Sequence, residues 1–160
     1  MKRFEELELL RGAVAAVEKF FPECPFLSEE EKARILRIPI DMAAGDADNL
    51  EEDRSRHMRL EVEISWLDAT LTYLVEEANQ QAEKLRGDII VRNTQGRDKA
   101  PAEHILKGVI AADTDYAAWR EEAAKRERLR KFVSGLAFAM GRRNDILKDL
   151  SREQNARVGQ

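Results

Sequence analysis

Residues 46–92 read DADNLEEDRSRHMRLEVEISWLDATLTYLVEEANQQAEKLRGDIIVR, and this stretch decides the fold. Leu50, His57, Ile64, Leu71, Ala78 and Leu85 recur every seven residues, and Leu60, Leu67 and Leu74 fall three places after His57, Ile64 and Leu71. That is an a/d seam, the pattern of a helix packed lengthwise against other helices. No proline or glycine interrupts it between Asp46 and Arg86. The spacing predicts one helix, Asp46–Arg92, of roughly 45 residues and about 70 Å at the usual rise per residue. Its outer face mixes signs (Glu51, Glu52, Arg54, Arg56, Arg59), which supplies opposite charges at helical spacing. His57 sits on the seam and reads as a packed or interhelical hydrogen-bonding residue rather than a metal ligand. Trp66 falls beside the seam and reads as interfacial packing.

Downstream, Asn93–Ala100 is rich in turn residues and reverses the chain, and Pro101 suits the first turn of a new helix. Pro101–Ala112 is expected to bury Ile105, Leu106, Val109 and Ile110. Asp113-Thr114-Asp115 is either a cap and restart or a set of polar turns within one longer helix. From Tyr116 to about Asn155 the pattern is helical again, with Trp119, Leu129, Phe132, Val133, Leu136, Met140, Leu147 and Leu150 along one stripe. Gly135 and Gly141 inside it cost about 1 kcal/mol each relative to alanine, tolerable if they let another helix come close.

Upstream, Lys2–Phe20 is an amphipathic helix marked by Phe4, Leu7, Leu10, Val14 and Val17, closed by Pro22 and Pro25. Ser28 with Glu31 is a capping box that starts a helix, Glu29–Leu36, with Ala33, Ile35 and Leu36 turned inward. Ile38-Pro39-Ile40 is expected to be extended. Met42–Asp48, with Gly45, is a frayed first turn or a hinge. Cys24 reads as a small buried hydrophobe. Residues 1–40 thus form a small N-terminal helical hairpin and residues 41–160 a long-helix body. The expected fold is all-α, an elongated antiparallel helical hairpin.

Composition agrees. Of 160 residues, 43% are hydrophobic and 36% charged, and only 6% are aromatic. The charged share exceeds the usual quarter, as long solvated helices require. The single cysteine leaves no internal disulfide and fits a reducing cytoplasm. No apolar run reaches the length of a membrane span, and the segment from Met1 to Leu7 is too short and acidic for a signal peptide, so a cytoplasmic location is expected.

The net charge of −4 conceals a split: residues 1–83 carry 10 Lys/Arg against 20 Asp/Glu, and residues 84–160 carry 17 against 11. Such a split points to nucleic-acid contact, to head-to-tail association, or to plain solvation of helical faces. Lys84, Arg86, Arg92, Arg97, Lys99 and Lys107 gather around the loop, and Arg142 and Arg143 lie on the last helix. Groups of this kind bind phosphates through charge and counterion release.

Phosphate-loop, dinucleotide, zinc-hydrolase and nucleophile-elbow motifs are all missing from the sequence. Asp113 and Asp115 are capping residues by type, and Glu76-Glu77 and Glu121-Glu122 point to different sides of their helices. No enzyme activity, metal or cofactor is expected. Two long helices and a small hairpin leave apolar residues over, so a homo-oligomer is expected. Its interface is placed on Leu60, Ile64, Trp66, Leu67, Leu71, Leu74, Trp119, Phe132, Gly135 and Phe138.

Several motifs resemble a known family. Gly108-Val-Ile-Ala-Ala-Asp113-Thr-Asp115, then Phe132-Val-Ser134-Gly135-Leu-Ala137-Phe-Ala139, Arg142-Arg143, Ile146 and Asp149-Leu150 resemble the C-terminal region of the UvsY-type phage recombination mediators. Ile40-Asp41, Trp66-Leu67 and Lys84-Leu-Arg86-Gly-Asp88 fall in a similar order, so the likeness spans roughly Ile40–Gly159. The resemblance implies a ring-like homo-oligomer that binds single-stranded DNA, weakens the hold of the single-strand-binding protein and helps load the strand-exchange recombinase. If phage-encoded, it would act in the bacterial host cytoplasm, in DNA recombination and repair. The alternative is a non-catalytic helical adaptor or structural assembly protein that binds no nucleic acid.

Overall fold

In the computed structural model of the chain, the seam becomes a single uninterrupted helix. The structure describes residues 11–12, 14–43, 50–97 and 99–158. Among them every regular element is helical and no strand occurs. Residues 14–20 form α1, which runs into a 3-10 turn at Phe21–Glu23. Then come α2 (Glu29–Ala43), α3 (Leu50–Thr94), α4 (Glu103–Ala112) and α5 (Thr114–Val158). Phe4, Leu7, Leu10, the expected helix start at Asp46 and most of the Met42–Asp48 hinge lie outside the described residues, as do the side chains of Leu50, Leu147 and Leu150. The chain divides into two compact units, Met1–Ala69 with Leu129–Gln160, and Thr70–Arg128.

In the first unit, α2 starts on the capping box. The Ser28 backbone N–H donates to Glu31 Oε2 at 2.8 Å, and the Glu31 N–H donates to Ser28 Oγ at 3.2 Å. The helix then continues through Pro39 to Ala43, where the sequence suggests an extended Ile38-Pro39-Ile40. A proline inside a helix costs about 3 kcal/mol. Ile35, Ile38, Pro39 and Met42 offset that cost, since all four are buried at helical spacing and each large apolar side chain is worth about 1.5–3 kcal/mol. Ala33, expected to face inward, is exposed instead. Cys24 is fully buried, with Sγ 3.6 Å from the Phe20 carbonyl. Leu60, Ile64 and Leu67 of α3 and Leu129, Val133, Leu136 and Met140 of α5 complete this core. Ser134 Oγ donates to Asp68 Oδ1 at 2.7 Å, tying α5 to α3.

The second unit has a leaner core of Leu71, Ala78, Ala82, Ile89, Ile110 and Ala123. Its small residues allow close helix approach. Arg126 of α5 meets Leu74 and Glu77 of α3, and Arg120 meets Asn79, so inside this unit the two segments run in opposite directions. On α4 only Ile110 is buried, whereas Ile105 and Val109 are exposed. A ten-residue helix with one buried anchor leaves most of its apolar face in solvent. The helix starts at Glu103 rather than Pro101, because Ala102 is its N-cap.

Asp113 resolves the alternatives left open for Asp113-Thr114-Asp115. It closes α4 and caps α5, its Oδ1 accepting from the N–H groups of Asp115 at 3.1 Å and Tyr116 at 2.9 Å. Asp113→Ala should therefore cost about 1 kcal/mol. Urea denaturation followed by circular dichroism checks this, and an unchanged midpoint would remove the cap's role.

The buried stripe on α3 drifts. Leu60 and Leu67 are buried three places after His57 and Ile64, but farther along Leu74 is only half-buried, and Ala82 and Ile89 are buried four places after Ala78 and Leu85. An α-helix lags a seven-residue repeat by about 20° per heptad, which turns the +3 position out and the +4 position in.

Candidate nucleic-acid interface

The basic run at the end of α3 is shaped by how that helix stops. Asn93 and Thr94 stay helical, and their side chains donate back to the carbonyls of Ile89 at 2.8 Å and Ile90 at 2.9 Å. Gly96 then takes φ +76°, a left-handed conformation that glycine adopts without penalty. Lys84, Arg86, Arg92, Arg97, Lys99 and Lys107 are all exposed in the second unit. Arg86 pairs with Glu83 at 3.1 Å and Lys107 with Glu103 at 2.7 Å. Arg92 Nε donates to the Asp88 carbonyl at 3.3 Å. Lys84, Arg92, Arg97 and Lys99 form no ion pair among the described residues. Cations here also complement the negative end of the helix dipole. The Glu121 carboxyl, on the same unit's α5, is held below its usual range by the Lys125 ammonium, 2.9 Å away.

Arg142 belongs to the first unit, exposed, with its guanidinium 5.8 Å from the centre of the Phe138 ring. The side chain of Arg143 lies outside the described residues. The expected basic residues therefore fall in two units, six in one and Arg142-Arg143 in the other.

Of the residues expected at an oligomer interface, Leu60, Ile64, Leu67 and Leu71 are buried within the single chain, at 5%, 1%, 2% and 1% exposure. The intrachain core already covers them. Leu74, Trp119 and Phe132 are half-buried, while Trp66, Gly135 and Phe138 are exposed. A Cβ at Gly135 or Gly141 meets nothing within 4 Å, so neither glycine serves a close helix approach inside the chain.

One cluster escapes the sequence reading. Arg34 and Arg37 on α2, with Arg56 and Arg59 on α3, line an open groove of about 370 Å³ in the first unit, together with Asp41, Leu60 and Glu63. The signal was present as two arginine pairs at i,i+3 spacing, hidden by the acidic balance of the first half. Among the described residues, no group of three or more His, Cys, Asp or Glu is placed to hold a metal, and no helix is long and apolar enough to cross a membrane. No protein-family model matches the sequence, and no curated protein or solved structure matches it either.

Proposed function

We propose that this chain is a non-enzymatic recombination mediator of the UvsY type. In this reading it binds single-stranded DNA and assists loading of a strand-exchange recombinase in place of the single-strand-binding protein. The supporting observation is the exposed basic run at the end of α3 and its turn, where Lys84, Arg92, Arg97 and Lys99 are not spent on ion pairs among the described residues. The motif resemblance supports it from the sequence side. The long helices act as an antiparallel hairpin that assembles with further copies, multiplying a weak single-chain patch by avidity. Phe138, 70% exposed in the single chain, is among the contacts available for that assembly. The site of action is the cytoplasm.

The test is a titration of fluorescent oligo-dT at two salt concentrations. Binding should be strong at low salt. Arg97→Glu with Lys99→Glu should weaken it at least tenfold and flatten the logarithmic salt slope by about 1.4, since each lost phosphate contact on a single strand removes about 0.7. Absence of binding at low salt would remove the DNA reading.

A helical adaptor is the second reading. Met58, Val62 and Trp66 recur every fourth residue on α3 and are 67%, 71% and 48% exposed. A contiguous apolar row of this kind suits a protein partner. Under that reading oligo-dT does not bind, and light scattering reports a defined assembly that Val62→Glu disperses.

A further inference from the structure

The arginine groove in the first unit is not accounted for by the fold. Its lining sets four guanidinium groups against two carboxylates, Asp41 and Glu63. Arg34 pairs with Glu30 at 2.8 Å, Arg37 with Asp41 at 3.1 Å, and Arg56 with Asp53 at 3.6 Å and Glu52 at 3.5 Å. These are neighbours three or four residues apart on their own helices, and Arg34 and Arg37 remain 45% and 78% exposed. The pairs of Arg34 and Arg37 are exposed, contribute little and exchange readily for a better anion, whereas Arg56 is 30% exposed and is held on the buried Asp53. Arg59 reaches only the Ser55 carbonyl, at 3.4 Å, and forms no ion pair among the described residues. Core packing does not require four guanidinium groups on one groove. Their planar forks match phosphate oxygens two at a time, and the single carboxylates on Arg34 and Arg37 do not exhaust them.

An aromatic ring adjoins the groove. Trp66 lies one helical turn beyond Glu63 on α3, and the Arg34 guanidinium stands 5.7 Å from the centre of its ring. Trp66 is 48% exposed, so about half of the residue faces solvent beside the groove. Guanidinium groups for phosphates beside an aromatic face for a base is the arrangement that takes up nucleotides. The groove volume suits a small ligand.

We propose that this groove is a binding site for a phosphate chain bearing a nucleobase, with phosphates on Arg37, Arg56 and Arg59 and the base against Trp66 and Arg34. The ligand chemistry is that of a nucleoside polyphosphate, supplied free or as part of a single strand. The site is separate from the basic run on α3, and it stands whether or not that run binds DNA.

The chain has two tryptophans, so Trp119→Phe leaves Trp66 as the sole reporter. The full-length Trp119→Phe protein is titrated with a nucleoside triphosphate, with inorganic tripolyphosphate and with oligo-dT, following Trp66 emission and binding heat. The triphosphate should bind saturably and quench Trp66. Tripolyphosphate should displace it without quenching by itself. Arg37→Gln with Arg59→Gln, both at exposed positions, should weaken triphosphate binding at least tenfold while circular dichroism and the melting curve stay unchanged. If oligo-dT quenches Trp66 and the same groove variant loosens it, the phosphate chain comes from a strand. If only the triphosphate does so, it is a free nucleotide. Oligo-dT binding that responds to Arg97→Glu with Lys99→Glu alone reports the α3 run and leaves the groove to the triphosphate arm. Absence of saturable triphosphate binding, or binding equally tight in the groove variant, overturns the proposal.

Discussion

Replacing Arg126 by alanine should destabilise the protein by about 3 kcal/mol, the lower end of the range for breaking a buried charged network. Arg126 is only 7% exposed. Its guanidinium donates to the Leu74 carbonyl at 2.7 Å, to Glu77 at 2.9 Å and to Glu122 at 3.2 Å. One side chain thus joins α3 to α5 within the second unit, whose core is otherwise built largely from small residues. The cost stays at the lower end because Glu77 is 43% exposed, so water takes over part of what the arginine supplied. For a chain of this length the melting temperature should fall by about 6–12 °C. Arg126→Met, which keeps the apolar stem and removes the charge, should lose less than alanine. Arg126→Lys should also be impaired, because an ammonium lacks the planar fork that reaches several acceptors at once. Thermal and urea denaturation of the three variants measure the ranking. Equal stability of wild type and Arg126→Ala would mean that the contacts to Leu74 and Glu77 do not hold the unit together.

The second large effect separates two adjacent residues. Leu67 is 2% exposed and Trp66 is 48% exposed. Leu67→Ala removes a fully buried branched side chain and leaves a cavity, which should cost about 3 kcal/mol. Trp66→Ala removes a larger side chain, yet it should cost less, about 1–2 kcal/mol, because about half of the residue already faces solvent. Urea denaturation of the two variants tests the order. Light scattering on the same samples tests the placement. If Leu67→Ala dissociates an assembly while leaving the urea midpoint untouched, then Leu67 faces another copy rather than the chain's own core.

That pair of residues shows how far a linear pattern carries. The seam on α3 is legible because apolar residues at heptad spacing can only lie along one side of a helix. What covers that side is not encoded locally. Leu60, Ile64 and Leu67 look equally fit for an oligomer interface until Leu129, Val133, Leu136 and Met140 are seen to share their unit and their burial. Pro39 carries the same lesson with the opposite sign. Its local preference breaks a helix, and the burial of Ile38 and Met42 on either side overrides it. Arg126 stands in a run rich in charged residues, Glu121 to Lys131, with nothing in its neighbours to mark it as buried. Its partners on α3 lie 49 and 52 residues away.

The candidate sites divide in the same manner. The basic run from Lys84 to Lys107 is visible because its members are close in sequence. The groove of Arg34, Arg37, Arg56 and Arg59 is drawn from two helices, and a charge count over half the chain averages it away.

By itself the sequence determined that this protein is helical, where its long helices run, where Ser28 caps one of them, and that its charge is unevenly spread. Those properties depend on spacing and residue type within a few turns of chain. The tertiary structure alone decided which apolar residues are core, which arginine is buried and which arginines share a groove. Each of these depends on which distant segment lies opposite, and burial and charge pairing are properties of that neighbour as much as of the residue itself.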